Sequence, residues 1–486
     1  MAPIPRQTFE IDDPGLPVTP PGLIAPLMIG TCSGGVANEF YALSRVSDVI
    51  ADLKQGPLAE LASTYLSHPG AGGPVYVVPA NPSIAGAVGS LTTVKPGSNT
   101  GTVTITGSPA DAYHAAVEIM KTGPLGSAEY RYTLDGITWS PTLTVPGGGS
   151  KVIPDTGLTI AFVPGGTPAN AFAKGDKYSA VCTAPYFDGT DLAAAITAAK
   201  AAAGGLQFGM LVAAGEAATP AAGALMAGAL GGHAETMFNE HRFLRSLITA
   251  GGPTDDRAAA KTAYASFANK RANVVFGHNW QLTRKPMPGW LYPKRANVDL
   301  VTARAGALKV STSLGRVASG PISEILKLEH DEQVNEEMDA ARFTTLRSHP
   351  GERGFFITHG RLMSPEVSDY KYWHIGRLMD LCCATAYKAQ MPMLGGSVRL
   401  LEDGSGKIDE RDAVRLEEPV LDALDVALMQ PNNAEGTKGH VTAVDYSIDR
   451  STDVATSEGL DTTVSMIPHG YNYFIRTRLG FTLGGR

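Results

Sequence analysis

Apolar residues first gather in the run Leu23-Ile24-Ala25-Pro26-Leu27-Met28-Ile29-Gly30, short enough for a strand and followed by a turn through Gly34-Gly35. Over residues 47–66 they fall instead at four-residue intervals (Val49, Leu53, Pro57, Leu61), which predicts a helix that Pro57, after Gly56, splits in two. Pro74-Val75-Tyr76-Val77-Val78-Pro79 is a second unbroken run and predicts a buried strand. Strand, helix, strand in that order makes an α/β unit with a right-handed crossover. The pattern returns after Asp191: helices are predicted over 192–203, 221–241 and 298–308, and strands over 206–212, 243–248 and 273–277.

Between these blocks, from about Lys95, the character changes. Residues 95–185 are rich in Gly, Thr, Pro and Val and alternate in short segments such as Thr102-Val103-Thr104-Ile105 and Glu129-Tyr130-Arg131-Tyr132-Thr133. Turn signals at Asp135-Gly136 and Gly147-Gly148-Gly149 separate them, which predicts a small β-sandwich or barrel inserted into the α/β host. Six basic and six acidic residues leave it neutral. Beyond it, strands are predicted over 343–347 and 355–358, then a helix over 368–388. There Tyr372, Ile375, Met379, Cys382 and Ala386 repeat at 3,4,3,4 spacing and form one apolar stripe. A helical region over 409–429 has its second half opened by Pro419, and 463–467 and 471–483 look like strands.

The fold expected is therefore multidomain α/β (α+β) with an inserted all-β unit. The divisions are an N-terminal arm (1–22), a discontinuous α/β domain (23–94 and 186–335), the insertion (95–185), a C-terminal α/β domain (336–470) and a terminal strand (471–486). At 486 residues a single core is not expected. The arm holds six prolines and no periodic apolar face, so it cannot build a core of its own.

Composition narrows the function. The net charge of −7, with no Lys/Arg run longer than two residues, argues against binding nucleic acid by its phosphates. No leader pattern opens the chain and no stretch reaches 18 apolar residues, so a soluble product made in a cytoplasm is expected, with no membrane insertion. The four cysteines (Cys32, Cys182, Cys382, Cys383) lack CxxC spacing; free thiols are the first expectation and cross-links between subunits the second.

Catalytic constellations are missing. Gly30-Thr31-Cys32-Ser33-Gly34 has its serine one position late for a nucleophile elbow. Gly404-Ser405-Gly406-Lys407 lacks both the first glycine and the Ser/Thr of a phosphate loop, and 403–414 fails as a calcium loop. His233, Glu240 and His241 could ligate a metal only if brought together, since on one helix the two histidines stand about 12 Å apart. Trp280, Trp290 and Tyr292 look like loop anchors or a subunit contact before a ligand platform. No catalytic residue, cofactor or metal is expected.

Two regions resemble the contractile tail sheath family of bacteriophages and related injection machines. The first runs from Pro26-Leu27-Met28-Ile29-Gly30-Thr31 through Gly56-Pro57-Leu58-Ala59 to Gly73-Pro74-Val75-Tyr76-Val77-Val78. The second comprises Gly354-Phe355-Phe356-Ile357, Ser364-Pro365, Ser368-Asp369-Tyr370, Arg377-Leu378-Met379-Asp380 and the closing run 473–481. The resemblance implies a mixed-sheet sheath core and a structural subunit of a virion tail, assembled in the host cytoplasm. It implies self-association into six-fold rings stacked helically, with tail tube, baseplate and tail terminator proteins as partners. It also implies that terminal segments extend the sheets of neighbouring subunits. The residues expected to link are Pro14, Leu16 and Val18 in the arm and Tyr473, Ile475, Arg476, Arg478, Leu479 and Phe481 in the tail. Residues 402–425 hold nine acidic and three basic side chains, so the tail, basic through Arg476, Arg478 and Arg486, is expected near an acidic surface of its own or a neighbouring chain, the alternative being a solvated helix face and an ordinary loose terminus. The rival readings are another virion component, such as a baseplate protein or glycan-binding adhesin, and an α/β enzyme with an inserted β-domain.

Overall fold

The computed structural model describes residues 25–166, 170–281, 294–322, 325–431, 436–473 and 475–477. The first apolar run is β1 (Pro26–Gly30), and all five of its residues are buried. Both faces are covered: Leu27 and Ile29 enter one core, while Met28 between them enters the other. After β2 (Tyr41–Leu43) come α1 (Val46–Asp52) and α2 (Pro57–Ser67), separated before Pro57 as the sequence predicts, and then β3 (Val75–Pro79). Gly56, at φ 119°, makes the break, and Pro57 begins α2, where its missing N–H costs nothing.

The segment that follows β3 holds β4 (Ala87–Val88), β5 (Thr92–Val94), β6 (Thr102–Gly107), β7 (His114–Lys121), β8 (Glu129–Thr133), β9 (Leu143–Thr144), β10 (Ser150–Ile153), β11 (Leu158–Val163) and β12 (Lys177–Thr183). They form a three-stranded sheet, β10-β11-β6, and a six-stranded one, β4-β12-β7-β8-β9 with β5 also on β12. Strict alternation turns Ala115, Val117 and Ile119 of β7 and Leu158, Ile160 and Phe162 of β11 into a shared core, and Phe162 meets Tyr130 of the other sheet at 4.8 Å between ring centroids. The strands of this unit begin ahead of the compositional change at Lys95, because β4 and β5 both pair with β12. Arg295 keys the unit to the rest of the chain: its guanidinium is paired with Glu60 of α2, donates to the Ala112 carbonyl at 3.2 Å and lies 3.7 Å from Asp111.

The α/β pattern resumes with α3 (Gly189–Ala203), β13 (Met210–Ala213), α4 (Pro220–Asn239), β14 (Arg245–Thr249), α5 (Arg257–Ala263) and β15 (Ala272–Val275). β13 and β14 start later than their apolar runs, since Leu206 to Gly209 and Phe243-Leu244 serve as connections, of which Phe208, Phe243 and Leu244 are buried at the end of the sheet. The main sheet has the order β15-β14-β13-β1-β3-β2, parallel except for β2. Leu192, Ala195, Met226 and Leu230 of α3 and α4 cover one face, and Leu58, Leu61 and Tyr65 of α2 cover the other. A small antiparallel sheet of β16 (His278–Gln281), β17 (Lys294–Ala296) and β18 (Ile325–Leu328) follows, with α6 (Val298–Ala307) packed beside α2.

The hairpin β19 (Leu346–Ser348) and β20 (Phe355–Ile357) comes next, then α7 (Trp373–Gln390), α8 (Glu410–Leu424), β21 (Val441–Ile448) and β22 (Thr462–Pro468). Met338, Phe343 and Met363 belong to the main-sheet core, so the boundary expected at 335/336 falls inside that core; the separate C-terminal core is built from Leu378, Cys382, Val420, Leu424, Val441 and Tyr446. Pro419 does not open a new helix: α8 runs through it into a π-turn at Asp425–Met429. Pro419 and Arg415 are both exposed, so the Arg415 carbonyl freed by the missing N–H is on the solvated side.

Charge joins the two cores. Arg245 of β14 is 1% exposed and Asp380 of α7 is fully buried, and Nε lies 3.1 Å from Oδ2. Arg271 shares Asp380 at 3.4 Å and reaches Glu235 at 2.5 Å, while Arg377 donates to the Gly209 carbonyl. Burial pushes the Arg377 guanidinium down to about 10. Removing the carboxylate leaves Arg245 buried without one, while Arg271 keeps Glu235, so Asp380→Ala is expected to cost about 3–5 kcal/mol in chemical denaturation, against a much smaller loss for the paired change Arg245→Met with Asp380→Leu. A second buried ion group gives a pH dependence. Burial alone would lower His278, but Glu216 at 2.9 Å and Glu329 at 2.9 Å outweigh it and hold it at about 9. Its contribution is complete below the unfolded value of 6.5 and is lost as pH rises through 9. Stability measured by denaturant midpoint should therefore fall between pH 7 and 10, and His278→Gln should flatten that slope.

Candidate assembly interface

β21 and β22 pair with each other and, among the described residues, with no other strand. Among the described residues the outer edge of β22 is open. Its sequence, Thr-Thr-Val-Ser-Met-Ile-Pro, carries no charge, and Ile467 is 60% exposed. An uncharged edge with unpaired backbone groups is a template for another strand.

Beside this edge runs a groove of about 890 Å³. The helical stripe read from the sequence, Tyr372, Ile375, Met379, Cys382 and Ala386, lines one wall, and Thr462, Val464 and Met466 line the other. Cys382 and Ala386 at its far end are buried in the C-terminal core, but Tyr372, Ile375 and Met379 are only half-buried. The face of α7 that is sunk into the molecule carries Trp373, His374, Arg377 and Asp380. Space for it comes from Gly376, where a Cβ would stand 2.2 Å from Arg245 Nε.

The chain beyond β22 is tied down in three steps. His469 lies 3.0 Å from Thr442 Oγ1 and 3.1 Å from the Gly439 carbonyl; Tyr471 Oη donates to the Ser311 carbonyl at 2.5 Å; Tyr473 Oη meets His374 Nε2 at 3.1 Å. Tyr372, His359 and His374 pack around these rings, and Asp339 holds His359 at 2.7 Å. Residues 471–473 and 475–477 are not strand, contrary to the run expected over 471–483; the aromatic residues point into this clasp and do not alternate across a sheet. Tyr473 is thus engaged by its own chain. Ile475, 83% exposed, and Arg476, also exposed, lie beyond the clasp. The other expected linking residues, Pro14, Leu16, Val18, Arg478, Leu479 and Phe481, lie outside the described residues, as do Trp290 and Tyr292.

Part of the acidic excess over 402–425 is met within the chain: Arg450 pairs with Glu410 at 3.0 Å and with Glu417. Gly404 to Lys407 form a turn ahead of α8, where Ser405 N donates to Asp403. His233 sits on α4, while His241, past its end, stacks on Tyr387 at 4.4 Å and Glu240 pairs with Lys200, so the three are not assembled. Among the described residues no group of His, Cys, Asp and Glu is placed to hold a metal, and no helix is long and apolar enough to cross a membrane. All four cysteines are free, and burial pushes their thiols up, Cys32 and Cys382 to about 12.

A family model described as DUF2586, N-terminal domain, matches residues 19–361. The chain belongs to the DUF2586 family. No curated protein matches the sequence. Among solved structures, the DUF2586 chain is similar to the helical sheath of the anti-feeding prophage in its contracted state, with 13% identity, 100% of both chains covered and a TM-score of 0.52. It is similar to a chain of that particle's baseplate, with 12% identity, 99% and 100% covered and a TM-score of 0.52. A sheath tail protein from Listeria innocua matches with 11% identity, 92% of each chain and a TM-score of 0.46. The fold of this DUF2586 protein is that of contractile sheath proteins, mixed α/β with several sheets.

The clasp makes the tail sensitive to acid. Burial holds His374 down at about 3, from an ordinary 6.5, so the ring is neutral when folded. Its contribution is complete above 6.5 and is lost as pH falls from there toward 3. Hydrogen exchange, corrected for the intrinsic rate, should show residues 470–473 opening between pH 7 and 4.5 before the main sheet does, and His374→Phe should remove that pH dependence.

Proposed function

We propose that this protein is the structural subunit of a contractile tail sheath, without enzymatic activity, polymerising as stacked six-fold rings around a tail tube and shortening to drive the tube through an envelope. Full-length likeness in fold to the anti-feeding prophage sheath supports this reading, and the open, uncharged edge of β22 is the observation that carries it. A strand from another subunit would satisfy the unpaired donors and acceptors of that edge, with Val464 and Met466 beside it offering an apolar wall. The tail from Ile475 onward, with Arg476, Arg478, Leu479 and Phe481, and the arm with Pro14, Leu16 and Val18 are the segments assigned to this exchange; Tyr473 becomes the anchor from which the tail departs. Residues 95–185 with β4 and β5 form the inserted outer β-unit. Contraction is then a rigid-body rearrangement between two helical packings, with the linking strands as tethers. Tube, baseplate and terminator proteins are the partners, and the finished particle is where the protein resides.

The likeness to a baseplate chain favours one second reading, a ring-forming component that does not stack. Electron microscopy of the purified protein separates the two. Hollow tubes of stacked six-fold rings are expected; single rings would favour the baseplate role, and monodisperse small particles under all conditions would overturn both. Deleting residues 475–486 should abolish tubes while leaving the thermal midpoint of the isolated chain within about 2 °C, because those residues lie past the clasp.

A further inference from the structure

A second groove, of about 950 Å³, opens at the amino ends of the parallel strands. Its walls include Tyr76, Leu206, Phe243, Tyr387, Met391 and Val426. Three of these are large apolar side chains left to solvent: Leu206 is 38% exposed, Met391 44% and Val426 61%. Such a concentration on one surface calls for an occupant. Of its three rings Tyr76 and Phe243 are buried and Tyr387 is part-exposed, so the open surface is chiefly aliphatic and suits an uncharged apolar segment whose extended backbone is already ordered before it binds.

The chain supplies such a segment. Residues 14–24, Pro-Gly-Leu-Pro-Val-Thr-Pro-Pro-Gly-Leu-Ile, hold four prolines and no charge. They end immediately before Ala25, whose carbonyl accepts from Gly209 N at 2.8 Å, two residues past the groove wall at Gln207. Tyr76 stands opposite Leu27 in the sheet register. The chain therefore leaves β1 at the rim of the groove. In a polyproline conformation residues 14–24 span about 34 Å, enough to cross it. Phe243 and Tyr387 also line the groove beside β22, so a segment following this surface is directed toward the free sheet edge.

We propose that residues 19–24 lie in this groove of their own chain, with Pro20, Pro21, Leu23 and Ile24 against Leu206, Tyr387, Met391 and Val426, so that only the part of the arm before residue 19 is available to a neighbour. The proposal concerns the single chain and does not rest on the sheath reading. It is tested on full-length, unassembled protein carrying Leu23→Cys and Val426→Cys, treated with a short bis-maleimide after mixing ¹⁵N-labelled and unlabelled copies. Mass spectrometry is expected to find positions 23 and 426 joined within one isotopic species. A link found only between species would place a second copy's segment there and overturn the proposal, as would no link. A second measurement needs no cross-link: maleimide labelling at position 23 in the single variant should accelerate at least 5-fold when Val426→Asp is added, and an unchanged rate would also overturn it. Failure here leaves tube formation unaffected as a test of the function.

Discussion

A guanidinium with almost no exposure sits in the first position of a strand, and the C-terminal half of the molecule is arranged around it. Arg245 cannot be left in the interior without a carboxylate, because desolvating an unpaired charge costs more than the packing of one side chain returns. The carboxylate is Asp380, 135 residues away along the chain. For it to arrive, α7 must press so closely on β14 that Gly376 is the only kind of residue its contact can hold. Arg377, one residue on, then reaches the Gly209 carbonyl at the start of β13. Those contacts fix the rotation of α7 about its axis. Everything that makes the candidate interface follows from that rotation: the stripe from Tyr372 to Ala386 is turned toward β22, and His374 is sunk where Tyr471 and Tyr473 can close over it.

The main sheet was legible in the sequence for a physical reason. Parallel strands covered on both faces appear as unbroken apolar runs, and β1 and β3 are such runs. Gly56-Pro57 marked its helix break because backbone geometry there is local. The alternation of β7, β8 and β11 was legible for the same reason, while β4 and β5, two and three residues long, are too short to show any period. What escaped was set by distant partners. The stripe on α7 was read correctly as a stripe, but a helical period cannot say whether an apolar face meets a core or a groove. The signal that could have settled it was present: Arg377 and Asp380, three apart and off the apolar stripe of α7, make sense as a buried ionic face only when Arg245 is brought to them. Tyr471 and Tyr473 mimicked a strand because their alternation has the right period; their partners, Ser311 and His374, are remote in sequence.

The main sheet is closed off on one side. Thr344 caps β15 through hydrogen bonds with Val274 and Phe276. β22 carries no charge, and among the described residues no segment covers its outer side. The chain that leaves it could in principle fold back as a third strand, since two to five residues suffice for a hairpin turn. The contacts after Pro468 prevent this. His469 is drawn to Gly439 and Thr442, on the side of β21, and the next residues are held by Ser311 and His374. By Tyr473 the chain has moved off the edge it would need to cover. Among the described residues nothing covers that edge, and on the proposed reading a strand from another subunit does. The clasp thereby converts a liability of one subunit into a directional link, on the proposed reading, because it decides which copy of the tail can meet which copy of the edge.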